Sequence, residues 1–192
     1  KINGLSGSLY DNVAIYLQKY SDADNIPGVR FQATLEEEVN TALQALGYYD
    51  NQITVTHSAA QPRLVQVNVK TGEPVRISKS DVQLSGEAST DADFKALLAA
   101  QAPKQGQILH HGAYDGFKSA LKSLAMRKGY FDADFELARL EVAPELKQAF
   151  VHLHFNAGKR YKFGAVSFSG NQIAEPRLQS LVPFAENDYY LA

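Results

Sequence analysis

The chain of 192 residues has no cysteine and a single methionine. Without thiols there are no disulfides, no thiolate nucleophile and no cysteine-ligated zinc. That absence fits an oxidising compartment without identifying one. No apolar run approaches the roughly 20 residues that a helix needs to cross a bilayer. Nor is there an excess of one charge. Nineteen basic residues against 21 acidic ones leave a net charge of −2, so nothing favours nucleic acid or an anionic membrane surface electrostatically. The chain opens on Lys1 with no initiator methionine or signal peptide, which suggests a processed or trimmed N-terminus. The rest is ordinary for a globular protein, 45% apolar and 21% charged.

What the chain has is repetition. Val82-Gln83-Leu84-Ser85-Gly86 returns as Val166-Ser167-Phe168-Ser169-Gly170, an offset of 84, and Ile2-Asn3-Gly4 fits 82 residues earlier. Gly47-Tyr48-Tyr49-Asp50 returns as Gly129-Tyr130-Phe131-Asp132, an offset of 82. Gly72 returns as Gly158, an offset of 86. Three landmarks in one order at nearly one spacing define repeated modules. The modules read as 1–72, 73–158 and the incomplete beginning of a third at 159–192, and a full module is large enough to bury a small core.

Each module opens with a short strand. In the second it covers Val75 to Leu84, with Lys79 and Ser80 suggesting an interruption and Gly86 ending it. A helix follows, with Leu9, Val13, Tyr16, Leu17 and Tyr20 on one face in the first module. In the second, Thr90 or Asp91 is placed to cap a shorter helix carrying Phe94, Leu97 and Leu98. The next helix carries Leu35, Val39, Ala42, Leu43 and Leu46, with Thr34 as its expected N-cap and Glu36, Glu37 and Glu38 in its first turn. Its counterpart runs from Tyr114 through Phe117, Leu121 and Leu124. Both end at a glycine, Gly47 or Gly129, suited to a left-handed cap.

Two strands close each module. Ile53 and Val55 alternate with polar residues, and Val65, Val67 and Val69 do so after a turn at Gln61-Pro62. In the second module Phe135, Leu137 and Leu140 precede a turn near Pro144, and Val151, Leu153 and Phe155 share one face of the return strand. Period-two alternation means a sheet with one buried face. The fold class is therefore α+β, each module reading β-α-α-β-β with two helices on one face of a three-stranded mixed sheet. Of each aromatic pair, Tyr48-Tyr49 and Tyr130-Phe131, one ring is expected in the core and the other nearer the surface. The module junctions pass through one glycine with no flexible spacer, which leaves little slack.

The Gly-Tyr-aromatic-Asp segments, and the segments around Gly72 and Gly158 between modules, resemble the POTRA domains of the Omp85 family of outer-membrane proteins. The segments Leu124–Asp132, Tyr161–Gly164 and Leu181–Phe184 carry the same resemblance into the second and third modules. It implies a non-enzymatic periplasmic region that precedes a membrane β-barrel. It also implies, as partners, an accessory subunit anchored in the inner membrane and unfolded outer-membrane or autotransporter clients. No nucleic acid, cofactor, catalytic group or metal is expected.

A three-stranded sheet has exposed edges whose unpaired N–H and C=O groups can accept another strand. If the sheet follows the family order, the first hairpin strand is an edge. The candidate binding residues are then Ile53, Val55 and His57 in the first module, and Phe135, Leu137, Ala138, Arg139 and Leu140 in the second. The second module's edge is the expected client site. The repeat landmarks Gly47, Tyr48, Gly72, Gly129, Tyr130 and Gly158 are read as structural.

Other readings compete less well. Five histidines invite a metal site, yet His110-His111 and the His152/His154 pair match no zinc-ligand pattern. Gly4-Leu5-Ser6-Gly7-Ser8 is out of register for a nucleophile elbow, and Gly158-Lys159-Arg160 lacks the phosphate-loop spacing. Another Omp85 member, either an assembly-machine core or a two-partner secretion transporter, is the nearest alternative. A periplasmic enzyme or metal protein on duplicated α+β units is the alternative from a different class.

Overall fold

The structure is a computed structural model that describes residues 1–20, 29–57, 65–170, 172 and 174–191. The expected turn at Gln61-Pro62 lies outside the described residues. The elements in chain order are β1 (Ile2–Asn3), α1 (Gly7–Leu17), α2 (Val29–Gln44), β2 (Asn51–His57), β3 (Val65–Thr71) and β4 (Arg76–Ser85). They continue with α3 (Ala92–Gln101), α4 (His111–Arg127), β5 (Asp134–Ala143), β6 (Gln148–Asn156) and α5 (Glu175–Gln179). The strands form two three-stranded sheets, ordered β1-β3-β2 and β4-β6-β5. In the first sheet β1 runs parallel to β3 and β2 antiparallel to it, so the sheet is mixed. Both are the β-α-α-β-β arrangement, with the last strand central and the first hairpin strand at an edge.

By contacts the chain divides into two compact units. The first comprises Lys1–Ser80, Pro103–Tyr114 and Leu140–Val151. The second comprises Asp81–Ala102, Asp115–Arg139 and His152–Ala192.

In the first unit the core gathers Val13 of α1, Leu35, Val39, Ala42 and Leu43 of α2, and Val55, Val67 and Val69 of the sheet. The helix residues recur at three and four, so one stripe of α2 lies on the sheet while its polar flank stays outside. Leu9, Tyr16, Leu17 and Tyr48 close over that cluster. A second cluster of Val75, Leu109 and Ala149 is covered by Tyr49, Leu140 and Val142. In the second unit the buried side chains include Phe94 of α3, Phe117 and Leu121 of α4, Tyr130, and Leu153 and Phe155 of β6. Phe94 meets Tyr130 edge-on at 5.7 Å, and Phe135 meets Phe155 at 4.9 Å. The aromatic pairs split as expected in the second module, with Tyr130 4% and Phe131 40% exposed.

Three sequence expectations are corrected. α2 reaches back at least to Val29, so Thr34 is no N-cap; its hydroxyl donates to the Arg30 carbonyl within the helix. Glu36, Glu37 and Glu38 therefore lie in the body of the helix rather than its first turn. The early start carries Phe31 onto Tyr20 at 5.8 Å, a tertiary contact that local propensity does not register. β4 runs unbroken through Lys79 and Ser80, and the Ser80 hydroxyl donates to the Pro103 carbonyl. α4 begins at His111, three residues before Tyr114, because the His110 ring accepts from the Ala113 N–H and supplies the cap. Asp91 does cap α3, accepting from the Asp93 and Phe94 N–H groups.

Candidate functional site

Among the described residues strand β2 is flanked on one side only, and the hydrogen bonds around it show which of its backbone groups face outward. On β3, the Val65 carbonyl accepts from the Lys1 ammonium and the Val67 N–H donates to the Lys1 carbonyl. The odd residues of β3 thus serve the β1 side, and Gln66, Asn68 and Lys70 are left for β2. The register pairs these with Thr56, Thr54 and Gln52. The Gly72 N–H donating to the Asp50 carbonyl, at 2.6 Å, continues the same alternation. The N–H and C=O groups of Ile53 and Val55 therefore point away from the sheet. Their side chains point under α2, Val55 buried and Ile53 half-buried against the core. His57 is exposed at the end of the strand and bonds Gln32 of α2. At the other end Asn51 donates to Asn40 of α2, at 3.0 Å, and to the Tyr48 carbonyl.

The other hairpin strand, β5, is less regular. Phe135 and Leu137 are half-buried, Ala138 and Arg139 are both exposed, and Leu140 and Val142 are half-buried again. The inward face thus changes phase between Leu137 and Leu140. Near the strand start, Asp134 pairs with Lys122 of α4 at 2.7 Å.

The third long edge, β4, is partly covered by its own chain. Arg76 bridges Ile108, the Ile77 N–H donates to the Gln107 carbonyl, and the Gly106 N–H donates back to the Ile77 carbonyl.

That covering segment belongs to a seam built twice. In the first unit the Val75 N–H donates to the Gly47 carbonyl at 2.8 Å, and the Leu109 N–H donates to the Val75 carbonyl at 2.9 Å. In the second unit the Tyr161 N–H donates to the Gly129 carbonyl at 2.8 Å, and the Tyr190 N–H donates to the Tyr161 carbonyl at 3.0 Å. The bridge Arg76–Ile108 has its counterpart in Lys162–Tyr189. Even the turn repeats, with Gly106 at φ +86° and Asn187 at φ +68°. Gly47 is held at φ +88° with its Cα face against the Leu109 carbonyl, where a Cβ would stand 2.4 Å from that oxygen. Only glycine meets both demands without strain. Gly72 and Gly158, the other landmarks, follow β3 and β6, and the Gly158 carbonyl accepts from the Glu87 N–H. Tyr48 lies half-buried against the first core.

Polar side chains reinforce these seams. The Tyr49 hydroxyl lies 2.6 Å from His111 Nε2, and burial pushes the tyrosine pKa up. The Arg160 guanidinium donates to the Lys128 and Tyr190 carbonyls. Burial works against the Asp91 carboxylate, yet Lys128 and the Asp93 and Phe94 N–H groups outweigh it and hold its pKa low. Lys128 meets Asp91 and Asp93 at 2.6 Å each.

On β4, Asp81 accepts from the Gln83 amide and from His154 Nε2 at 3.0 Å, with His152 at 3.6 Å. Those donors hold its pKa at about 2. No group of three or more potential metal ligands occurs among the described residues, and no helix among them is long and apolar enough to cross a membrane.

Sequence reasoning placed Ile53, Val55 and His57 on one strand and Phe135 to Leu140 on the other, and the structure keeps those two sets on separate sheets. It missed the Gly106–Leu109 segment and the α2 flank beside β2. The repeat gave no signal for the first, since Gly106-Gln107-Ile108-Leu109 and Asn187-Asp188-Tyr189-Tyr190, 81 residues apart, share no residue.

Each three-stranded sheet has its last strand at the centre, and two helices separate its first strand from its hairpin. Residues 1–71 match the family described as POTRA domain TamA domain 1. Among solved structures, POTRA3-5 of BamA from Haemophilus influenzae is 18% identical, with 100% of this chain and 78% of that chain covered at a TM-score of 0.48. POTRA1-3 of Omp85 from Anabaena is 15% identical, covering 79% of this chain and 56% of that one at 0.41. The N-terminal domain of Omp85 from Thermosynechococcus elongatus is 16% identical, covering 79% and 59% at 0.39.

Proposed function

We propose that the chain is the periplasmic POTRA array of an outer-membrane protein assembly or translocation factor. Its modules span 1–72, 73–158 and, in part, 159–192. The array works as a scaffold and performs no catalysis. It docks unfolded outer-membrane protein or autotransporter clients by adding their strands to its sheets, and it contacts a TamB-like subunit anchored in the inner membrane. Its own C-terminal β-barrel is the third partner. The observation that carries this reading is the outward-facing backbone of Ile53 and Val55 on an edge strand. Backbone pairing makes little demand on side-chain sequence, which suits a receptor for varied β-rich clients.

Amide hydrogen exchange of the array, alone and with an unfolded outer-membrane β-barrel polypeptide, tests this. New protection in β2 or β5 is expected on adding the client. Protection confined to the helices or the central strands would overturn strand addition.

A further inference from the structure

The seam is built twice, but one group of polar side chains stands beside it only in the second module. Glu87, Ser89, Thr90, Tyr130, Arg160 and Tyr189 line a pocket of about 420 Å³, a size within the range of small-molecule sites. In the first module the positions corresponding to Glu87, Arg160 and Tyr189 hold Leu5, Pro74 and Ile108, none with a polar side chain. The first seam closes without such groups, so closing a seam does not require them.

Tyr130 is the least expected member. The residue is 4% exposed, its ring packs edge-on against Phe94, and its hydroxyl has no hydrogen-bond partner among the described residues. Among those residues Asn51 Oδ1 is the one fully buried side-chain atom without a partner, so the Tyr130 hydroxyl reaches the surface of the pocket that its residue lines. A polar atom in so covered a residue is seldom left without use. Burial, aided by the Asp91 carboxylate, raises its pKa and keeps its proton in place for donation. The Arg160 guanidinium is fixed by the Lys128 and Tyr190 carbonyls and lies 4.7 Å from the Tyr189 ring centre, which leaves Nη1 without a partner among the described residues. Glu87 Oε2 accepts from the Arg160 backbone N–H at 2.9 Å, and Oε1 has no such partner. The two charged side chains do not pair with each other.

We propose that this pocket binds an uncharged saccharide and that Tyr130, Arg160 and Glu87 read its adjacent hydroxyls. Tyr130 and Arg160 donate, Glu87 accepts, and Ser89 and Thr90 do either. One cation and one anion leave the lining without net charge, so an anionic ligand meets Glu87 and a cationic one meets Arg160. A sugar hydroxyl both donates and accepts, and it satisfies the two without carrying charge. The Tyr189 ring, 52% exposed, gives an apolar wall for the C–H groups of a sugar ring. This site does not rest on the strand-docking reading above.

The test is an NMR titration of the isotope-labelled chain with uncharged trisaccharides of glucose, galactose and N-acetylglucosamine, with inorganic phosphate as the charged control. At least one sugar is expected to shift the Ser89 and Thr90 amides and the Arg160 side-chain N–H in a saturable way, with a Kd at or below about 1 mM. Phosphate should leave those signals in place. Tyr130→Phe should weaken the sugar roughly fivefold, the size of one neutral hydrogen bond. The same variant should keep or raise the urea midpoint of the free chain, because the hydroxyl has no partner to lose.

Failure of all three sugars to move these signals at roughly 10 mM overturns the proposal. So does a phosphate shift that Arg160→Gln removes, which marks an anion site instead. An unfolded client peptide that moves the signals where no sugar does overturns it in favour of polypeptide. Undiminished sugar affinity in Tyr130→Phe overturns the role of the hydroxyl, and so does a loss of stability in that variant that accompanies the loss of binding.

Discussion

Gly47→Ala is expected to destabilise the first unit by about 2–4 kcal/mol, in two contributions that can be separated. The residue sits at φ +88°, where an L side chain costs roughly 1–2 kcal/mol. Its new Cβ would lie 2.4 Å from the Leu109 carbonyl oxygen, a backbone atom that cannot swing aside. The Leu109 segment must therefore shift, straining the Leu109-to-Val75 and Val75-to-Gly47 hydrogen bonds, each worth about 1 kcal/mol. Gly106→Ala supplies the control. That glycine has nearly the same φ, +86°, yet nothing lies within 4 Å of its Cβ position. It pays the conformational cost alone. Urea unfolding followed by circular dichroism should place Gly47→Ala below Gly106→Ala by roughly 1–2 kcal/mol, the part due to the seam. Equal losses in the two variants would show that the Gly47–Leu109 approach carries no energy, and the account of the seam would fail.

Two further predictions concern charge. Asp91→Ala removes the α3 cap and half of the Lys128 pairing, and it should cost roughly 2–4 kcal/mol in the same assay; a loss below about 0.5 kcal/mol would contradict the cap assignment. Asp81 contributes stability that is fully present above the ordinary carboxylate pKa of about 4 and is lost as pH falls toward about 2. A carboxyl NMR titration should therefore place its midpoint near 2, and Gln83→Ala should raise it, because the Gln83 amide is the leading cause of the depression. A midpoint near 4 in the native chain would show that these donors are not engaged.

Much of the fold was legible because it follows from periodicity. Val65, Val67 and Val69 alternate, and Leu35, Val39, Ala42 and Leu43 recur at helical spacing, so burial of one face dictated strand and helix. What escaped was decided by tertiary contacts or by backbone conformation. Thr34 followed by three glutamates looks like a helix start, but Phe31 packing on Tyr20 extends the helix beyond it. The covering segment of each seam was hidden because its left-handed turn uses Gly106 in one module and Asn187 in the next, two residues that tolerate the same φ. The phase change in β5 was written in the three-residue step from Leu137 to Leu140, a break in period two that reads as the end of a strand.

Residue-resolved amide exchange across β2 tests the central claim most directly. In the array alone, Gln52 and Thr54 should be protected by β3, while Ile53 and Val55 exchange rapidly. A bound client strand should slow Ile53 and Val55 and leave Gln52 and Thr54 unchanged. A client that binds without slowing those two amides would contradict strand addition at this edge.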